Sequence, residues 1–328
     1  MSNAPQPFKV ASCAATFGVF THEALERLES AGCEVRVNPH GRVLTKSEIV
    51  DFAYDADAVI VGNDDFSGDV IRSLPNLRLI ARHGSGVNNI DYAAATERGI
   101  VITNTPGVNA EETADLTFGL ILDLERHITL MNNELKQDVW KKRAGHSLHD
   151  KTIGIIGVGA IGRAVARRAM GFGMDILGND IRQSTEATKL GLIYTSLNDL
   201  LRRSDIVTIH TPLTSATKNL IGAKELRMMK PDAILVNTAR DGIVRHSALE
   251  KTLLAGQIYG YATDVHEGEP PKCSAIYDLP NVLVTPHAGS ATYETNLRMG
   301  MAVADNIIAF KDGVTPPHVV TPLSRIYG

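Results

Sequence analysis

The hydrophobic positions from residue 8 to residue 104 alternate between two spacings. Short apolar runs, typical of buried strands, occur at 8–11, 34–37, 58–61, 77–81 and 100–103. Segments with the amphipathic spacing of helices lie between them at 23–30, 46–54 and 69–74. Strands and helices in alternation predict a parallel sheet that is covered by helices on both faces.

A second pattern of the same kind is organised around residues 152–168. The apolar run 152–156 predicts a buried strand, and Gly157-x-Gly159-x-x-Gly162 separates it from a helical pattern. There the first glycine makes a tight turn, the second lets the backbone approach a pyrophosphate, and the third packs helix on strand. The helix N-terminus would offer free N–H groups to the phosphates. The next strand ends in Asp180, whose carboxylate would bind both ribose hydroxyls of NAD.

The later part of the chain repeats strand signals at 205–209, 233–237, 258–263 and 282–285 and ends in an amphipathic helix at 291–311. The segment 109–130 predicts one long helix with an apolar stripe along one side. A helix of this length could bridge two domains, pack against a second subunit or lie in a core, and the pattern alone does not decide between these.

Composition narrows the class of protein. The 328 residues, 44% hydrophobic and 21% charged, are enough for two domains with full cores. A net charge of −4 offers no basic surface for nucleic acid or for an anionic membrane. Cys13, Cys33 and Cys273 show neither disulfide-framework nor zinc-ligand spacing, so we expect a reducing compartment and no metal. No apolar run reaches membrane-spanning length, and 1–7 lacks the features of a signal peptide, so we expect a cytoplasmic protein.

Three chemically distinct kinds of side chain, an arginine, a carboxylate and a histidine, follow the late strands. Arg240 comes after the strand at 233–237, Asp264 and then Glu269 come after the strand at 258–263, and His287 comes after the last strand. Ligands of open α/β sheets bind beyond the carboxyl ends of the strands, so these side chains are expected beside the dinucleotide.

Together these motifs resemble the D-isomer-specific 2-hydroxyacid dehydrogenases, a family that includes glyoxylate and hydroxypyruvate reductases, phosphoglycerate dehydrogenase, formate dehydrogenase and D-lactate dehydrogenase. The resemblance covers nearly the whole chain and is carried by 82–91, 157–162, 210–213, 238–240, 264–270 and 286–290. It departs from the family pattern at Asp241, which stands where glycine is usual, at Arg245-His246, where an acidic pair is common, and at Asn88, which replaces a frequent aspartate.

The resemblance implies a catalytic role for three residues. Arg240 would bind the carboxylate and the adjacent carbonyl of a 2-oxo acid, because a guanidinium matches that geometry. His287 would give the carbonyl oxygen its proton, and Glu269 would stabilise the histidine cation. Glu267 is a rival for the carboxylate role. His210 also lies at a strand end, but its Thr211-Pro212 context favours a wall of the cofactor site.

The resemblance also implies two sets of binding residues. His83 and His266 are expected either to be solvated or to contact the residues that form the site. The implied NAD-binding residues are Gly157, Gly159, Ala160, Ile161, Gly162, Asp180, His210, Thr211, Pro212, Thr217, Thr238, Ala239, Asp264, Gly289 and Ser290. The implied substrate-binding residues are Gly62, Asn63, Arg82, Ser85 and Gly86, with the turn at 84–86 presenting N–H groups to the substrate carboxylate.

The implied architecture is α/β, with two Rossmann-like, doubly wound parallel-sheet domains and the active site in the cleft between them. Residues 1–104 and 291–328 would form a flavodoxin-like substrate domain, and 105–290 the NAD-binding Rossmann domain. A homodimer built around 109–130 is expected.

The expected activity is NAD-dependent reduction of a 2-oxo acid, with no nucleic-acid or membrane partner. Glyoxylate or hydroxypyruvate is slightly favoured over a phosphorylated substrate, because Asp64 and Asp65 stand in the strand-end loop where phosphoglycerate enzymes tend to place an arginine. Arg82 and the basic run 141–143 could compensate, so D-3-phosphoglycerate dehydrogenase remains the alternative. A binding protein that senses NAD(H), like the corepressors that share this fold, is a third hypothesis, which the near-neutral composition disfavours.

Overall fold

The computed structural model describes residues 7–269, 271 and 274–321. Pro270, the last residue of the segment 264–270 named above, and Cys273 lie outside this range. The chain divides into two compact units, Met1–Asn109 with Ala291–Gly328, and Ala110–Ser290. This boundary lies beyond the expected position at 104, because Asn104 and Thr105 both form hydrogen bonds within the first unit. Asn104 N–H donates to His318 O at 3.1 Å, and Thr105 N–H donates to Gly84 O at 3.0 Å.

The first unit is a five-stranded parallel sheet with the strand order β2-β1-β3-β4-β5. This order is that of flavodoxin-like folds. Its strands are β1 (Phe8–Ser12), β2 (Cys33–Val37), β3 (Ala58–Val61), β4 (Leu79–Arg82) and β5 (Val101–Thr103). Its helices are α1 (Glu23–Ser30), α2 (Lys46–Ala53), α3 (Gly68–Arg72), α4 (Tyr92–Glu97) and α12 (Tyr293–Lys311).

Helix α12 belongs to this first unit although it comes from the end of the chain. Its N-cap is Thr292, whose hydroxyl accepts a hydrogen bond from Thr295 N–H at 3.1 Å. Val303, Ala304 and Ile307 of α12 are buried in the same core as Leu28 of α1. The returning helix therefore closes one face of the sheet.

The second unit is a seven-stranded parallel sheet with the order β12-β11-β10-β9-β6-β7-β8. Its strands are β6 (Thr152–Ile156), β7 (Asp175–Asn179), β8 (Ile193–Tyr194), β9 (Ile206–Ile209), β10 (Ile234–Asn237), β11 (Gly260–Thr263) and β12 (Val282–Val284). Its helices are α5 (Ala110–Arg126), α6 (Ile128–Leu135), α7 (Ala160–Gly171), α8 (Thr185–Lys189), α9 (Leu197–Arg203), α10 (Ala223–Leu226) and α11 (His246–Leu254), with a 3₁₀ helix at Ala275–Asp278.

Strand β6 is the topological switch point of this sheet, since the chain goes to β7 on one side and later to β9 on the other. Its side chains alternate between two cores: Ile153 and Ile155 pack on one face of the sheet, and Ile156 packs on the other. At Gly154 a Cβ atom would lie 2.3 Å from Ser204 Oγ, so the close approach of the chain there requires glycine. A crevice for a ligand forms in such folds at the carboxyl end of the switch strand.

The expectation of a single helix over 109–130 is wrong. Helix α5 ends at Arg126 and α6 begins at Ile128, because His127 lies between them with a left-handed φ of 54°. A residue in that conformation cannot continue a right-handed helix. The His127 ring is held by Ala144 O at 3.1 Å and by the Tyr259 hydroxyl at 3.0 Å, both distant in sequence.

Within the described part of the chain, no helix combines the length and the apolarity that crossing a membrane requires. The same residues contain no group of three or more His, Cys, Asp or Glu side chains arranged to hold a metal ion.

Candidate active site

The glycine loop follows β6 and leads directly into α7. Gly157 has a φ of 92°, and a Cβ atom there would lie 2.6 Å from the His210 backbone. At Gly162 a Cβ atom would lie 2.1 Å from Gly157 O, so close packing of helix and loop requires this glycine. Nothing lies within 4 Å of the corresponding position at Gly159, which is the N-cap of α7 and is exposed. The loop therefore leaves open space at the helix N-terminus, beside Ala160 and Ile161, which fits a pyrophosphate.

Asp180 follows β7 and lies beside the glycine loop. Its Oδ2 accepts a hydrogen bond from Val158 N–H at 2.6 Å, and its Oδ1 accepts one from Arg182 N–H at 2.9 Å. The carboxylate is thus fixed at the edge where the ribose of a dinucleotide lies in this fold. Arg182 and Ile181 are exposed next to it.

His210 follows β9 and is held between two threonines. Its Nε2 lies 2.9 Å from Thr208 Oγ1 and its Nδ1 lies 3.4 Å from Thr238 Oγ1, which in turn contacts Thr117 Oγ1 at 3.1 Å. Burial lowers the pKa of His210 to about 3, so the ring is neutral at physiological pH. The sequence pattern does not identify Thr117 and Thr208, because a threonine in a helix or a strand carries no signal of such a contact.

The loop that follows His210 is closed on itself. The Thr217 hydroxyl donates to Pro212 O at 2.6 Å and accepts from Thr214 N–H at 2.8 Å. Thr211 is the residue between His210 and Pro212 and is partly buried. These contacts give the loop a defined conformation at the carboxyl end of β9.

Arg240 follows β10 in a turn that is built by Asn237. The Asn237 amide accepts from Ala239 N–H at 3.1 Å and donates to Arg240 O at 3.0 Å. Burial lowers the pKa of Arg240, and the charge of Glu269 opposes that shift; the guanidinium remains a cation. The neighbouring Asp241, one of the departures from the family pattern, has a pKa raised by burial.

The side chains of Glu269 and His287 are in direct contact. His287 Nδ1 lies 2.6 Å from Glu269 Oε2, and both side chains are about one-quarter exposed, at 26% and 24%. Burial would raise the pKa of Glu269, but the hydrogen bond and charge of His287 outweigh it and hold that pKa below its ordinary value. The rival Glu267 is exposed. Of the two carboxylates left open by the sequence, Glu269 is the one that contacts the histidine.

The turn that carries His287 is held by Asp264. The Asp264 carboxylate accepts from Thr285 Oγ1 at 2.7 Å, from Ala288 N–H at 2.7 Å and from Gly289 N–H at 2.8 Å. His287 has a φ of 55°, a left-handed conformation that is uncommon for residues other than glycine. Asp264 is 2% exposed. The Asp264 carboxylate contacts the turn that leads to Ser290. That Asp264 and Ser290 contact the cofactor stays a prediction.

Two histidines that were expected to be solvated or supporting are not solvated. His83 is 6% exposed and His266 is 7% exposed. Burial lowers the pKa of His83 to about 4, and its ring packs edge-on against Phe17. Sequence could not show this burial, since both residues stand in polar, glycine-containing stretches.

In the first unit, Arg82 is a scaffold for the loops at the strand ends. Its guanidinium donates to Gly86 O at 2.8 Å, to Val61 O at 3.0 Å, to His83 O at 2.8 Å and to Asn63 Oδ1 at 3.1 Å. It therefore ties the end of β3 to the loop after β4.

The remaining predicted substrate residues lie on the same loops. The Ser85 hydroxyl lies 2.9 Å from Thr105 O and 3.1 Å from Asn109 Oδ1. Gly62 N–H donates to Asp64 Oδ2 at 3.1 Å. Asp64 is 1% exposed, so its carboxylate is buried and does not place its charge on the surface of the loop, contrary to the expectation.

The family profile described as D-isomer specific 2-hydroxyacid dehydrogenase, NAD binding domain, matches residues 118–289. The chain belongs to this dehydrogenase family. The matched segment contains the glycine loop, Asp180, Arg240, Glu269 and His287. The prediction of the family and of NAD as cofactor is thereby confirmed, and so is the two-sheet α/β fold.

Known proteins resemble this dehydrogenase over most of its length. A glyoxylate reductase of Korarchaeum cryptofilum is 43% identical over 84% of this chain and 86% of its own. A D-3-phosphoglycerate dehydrogenase of Methanocaldococcus jannaschii is 39% identical over 91% of this chain but 57% of its own. The structure of D-lactate dehydrogenase from Escherichia coli matches with a TM-score of 0.84 at 28% identity, over 95% of this chain and all of the other.

This dehydrogenase is therefore an NAD-dependent oxidoreductase that acts on 2-hydroxy acids. These similarities favour an enzyme over the third hypothesis, a binding protein that senses NAD(H). The roles of its individual residues stay predictions. The contacts described above are consistent with those roles and lie within the second unit; they involve Asp180, Arg240, Glu269 and His287.

Replacing Asp180 with asparagine tests how the cofactor is selected. Asparagine keeps an oxygen that can accept from Val158 N–H but removes the charge that repels a 2′-phosphate. We expect the ratio of kcat/KM with NADH to kcat/KM with NADPH to fall about tenfold or more, equivalent to ~1.4 kcal/mol. Steady-state kinetics with both cofactors measure this. An unmodified enzyme that works equally well with NADPH would contradict it.

Proposed function

We propose that this dehydrogenase reduces a small, unphosphorylated 2-oxo acid, of which glyoxylate and hydroxypyruvate are the leading candidates, to the corresponding D-2-hydroxy acid. The observation that carries the proposal is the 2.6 Å contact between Glu269 and His287, with the Arg240 guanidinium within electrostatic reach of Glu269. A cation that binds carboxylates and a histidine in contact with a carboxylate are the two groups that such a reduction requires.

Arg240 and His287 have different roles toward the substrate: Arg240 binds it and His287 donates a proton to it. The guanidinium of Arg240 binds the carboxylate and the neighbouring carbonyl oxygen through parallel N–H donors. Glu269 accepts the Nδ1 hydrogen of His287, which leaves Nε2 to give a proton to the carbonyl oxygen. The glycine loop and Asp180 would hold NADH, which would supply the hydride.

The charge of Glu269 keeps His287 ready to act as the acid. Because the pKa of Glu269 lies below its ordinary value, the group is a carboxylate at neutral pH and places a negative charge beside the histidine ring. His210 is unsuited to the same role, since a ring whose burial lowers its pKa to about 3 carries no second proton to give at pH 7.

The choice of an unphosphorylated substrate rests on the strand-end loops of the first unit. A phosphate normally requires charge-assisted donors, and the Arg82 guanidinium already donates to three backbone carbonyls and to Asn63. Asp65 pairs with Lys46 at 3.2 Å. The similarity to a glyoxylate reductase at 43% identity supports the same choice, whereas the similarity to a phosphoglycerate dehydrogenase keeps that activity as the alternative.

We also propose that the enzyme is a homodimer that works in the cytoplasm. Helix α6 and the segment after it expose a row of large apolar side chains, which is costly for a surface in water: Ile128 (52%), Leu135 (53%), Val139 (44%) and Trp140 (83%). A second copy of the chain would cover them. Cys13 and Cys33 are buried free thiols, which suits a reducing compartment.

Comparing substrates tests the proposed activity. We expect NADH oxidation with glyoxylate and hydroxypyruvate, and a kcat/KM for 3-phosphohydroxypyruvate that is no higher. Absorbance of NADH follows each reaction. A kcat/KM for the phosphorylated acid about tenfold above that for hydroxypyruvate would assign the alternative activity, and no turnover with any 2-oxo acid would overturn the proposal.

Replacing His287 with alanine should reduce kcat by roughly 10²–10⁴-fold, because the general acid is lost. The matched change at the exposed His40 should leave kcat unchanged. Initial-rate measurements with a 2-oxo acid and NADH check both variants. Near-normal activity of His287→Ala together with an inactive His210→Ala variant would show that His287 is not the acid.

Replacing Glu269 with glutamine should move the pH at which reduction declines downward, because the histidine cation loses the negative charge of its partner. Glutamine keeps the size and an acceptor oxygen, so the change isolates the charge. The pH profile of kcat/KM measures it. Glu267→Gln, two residues earlier and exposed, is the control and should leave the profile unchanged.

Static light scattering should give twice the chain mass of 35.4 kDa at micromolar concentration. Trp140→Asp should weaken the dimer by placing a charge in the apolar row, while Ile181→Asp, at a side chain that is 98% exposed elsewhere in the same unit, should not. A mass of a single chain for the unmodified protein would refute the dimer.

A further inference from the structure

Three side chains of the loop after β11, residues 264–269, reach the turn after β12, residues 285–289. Asp264 and Glu269 do so as described above. The third is His266, which is 7% exposed and is not part of the proposed catalytic group. Its ring nitrogens both have partners: Nε2 lies 2.8 Å from Thr285 O, and Nδ1 lies 2.8 Å from the Tyr277 hydroxyl.

These partners define the hydrogen positions on the His266 ring. A carbonyl oxygen can only accept, so Nε2 carries a hydrogen and donates to Thr285 O. In the neutral ring Nδ1 is then an acceptor, and the Tyr277 hydroxyl donates to it. The two rings also meet edge-on, with centroids 5.7 Å apart and an interplanar angle of 80°. His266 is therefore fixed from two sides.

The Thr285 carbonyl connects His266 to the proposed acid. The same oxygen accepts the His287 backbone N–H at 3.0 Å. His287 has the left-handed φ of 55°, and a backbone of this kind persists only where its surroundings hold it. The His266 ring thus orients the carbonyl that closes the turn beneath His287.

The backbone of His266 acts on the other member of the pair. Its N–H lies 3.4 Å from Glu269 Oε1, while the second carboxylate oxygen, Oε2, contacts His287 Nδ1 at 2.6 Å. One residue therefore holds the turn of His287 with its side chain and the carboxylate of Glu269 with its backbone.

We propose that His266 is a positioning residue for the reaction, which sets the geometry of the Glu269–His287 pair by bridging Tyr277 and the Thr285 carbonyl. This inference rests on the proposed roles of Glu269 and His287. A misplacement of reacting groups by about 1 Å can cost as much as 10²-fold in rate, so loss of the bridge lowers turnover without touching the cofactor loop.

Three variants test the bridge in the full-length enzyme. His266→Phe keeps a flat ring against Tyr277 and removes both hydrogen bonds. His266→Gln places an amide N–H where Nε2 lies and can restore the bond to Thr285 O. Tyr277→Phe removes only the hydroxyl donor. His40→Phe is the control, because the same substitution is made at an exposed histidine.

We expect His266→Phe to lower kcat about tenfold and to leave the KM for NADH within about twofold. The pH at which reduction declines should move downward, in the same direction as in Glu269→Gln. His266→Gln should recover most of both losses, and Tyr277→Phe should show a smaller loss of the same kind. If His266→Phe does not fold, the glutamine and Tyr277 variants carry the test through their pH profiles.

A double-variant comparison shows whether His266 acts through Glu269. His266→Phe in the Glu269→Gln background should cost little more than Glu269→Gln alone, because residues that act through one contact are not additive. A kcat and a pH profile like those of the unmodified enzyme in His266→Phe would overturn the inference. So would a loss of thermal stability with no change in the pH profile.

The outcome separates this inference from the proposed function. If His287→Ala and Glu269→Gln are impaired and the His266 variants are not, only the positioning role fails. If His287→Ala and Glu269→Gln keep normal turnover, the assignment of the acid and its partner fails, whatever the His266 variants do.

Discussion

The hydrogen bonds between residues 264–269 and the turn at 285–289 are the constraint on which the geometry of the Glu269–His287 pair depends. A left-handed backbone at His287 costs of order 1 kcal/mol or more, and the turn holds it because Asp264 accepts three hydrogen bonds from it. Two neighbouring parallel strands, β11 and β12, bring these two loops to the same edge. The proposed acid and its carboxylate partner therefore meet although eighteen residues separate them along the chain.

The parallel sheet of the second unit explains why the other groups gather at that edge. Every strand of the sheet runs in the same direction, so the loops after β6, β7, β9, β10, β11 and β12 all leave from one side. The glycines then decide which parts of this edge are filled. Gly157 and Gly162 allow backbone to pack against backbone, whereas Gly159 leaves the N-terminus of α7 open. Close packing and an accessible anion site thus arise from one short motif.

Polar residues of similar type serve different purposes in the two units. Arg240 interacts electrostatically with Glu269, whereas Arg82 donates to three backbone carbonyls and stabilises loops. Glu269 contacts a histidine, whereas Asp64 accepts from the Leu44 and Gly62 backbone N–H groups inside its own unit. A buried charged group needs hydrogen-bonding partners, and those partners decide whether it supports the fold or meets a ligand.

The sequence by itself determined the strand and helix alternation, the dinucleotide loop and the residues that follow each late strand, because these depend on local periodicity and on turn geometry. Only the tertiary structure decided that His127 breaks the helix over 109–130, that Glu269 rather than Glu267 contacts His287, and that His266 is buried between Tyr277 and Thr285. Each of these depends on partners that are remote in sequence or on burial. The spacing of hydrophobic and polar residues does not show remote partners or the burial of a polar side chain. A solvated histidine and a buried, fully hydrogen-bonded histidine are the same residue in the sequence.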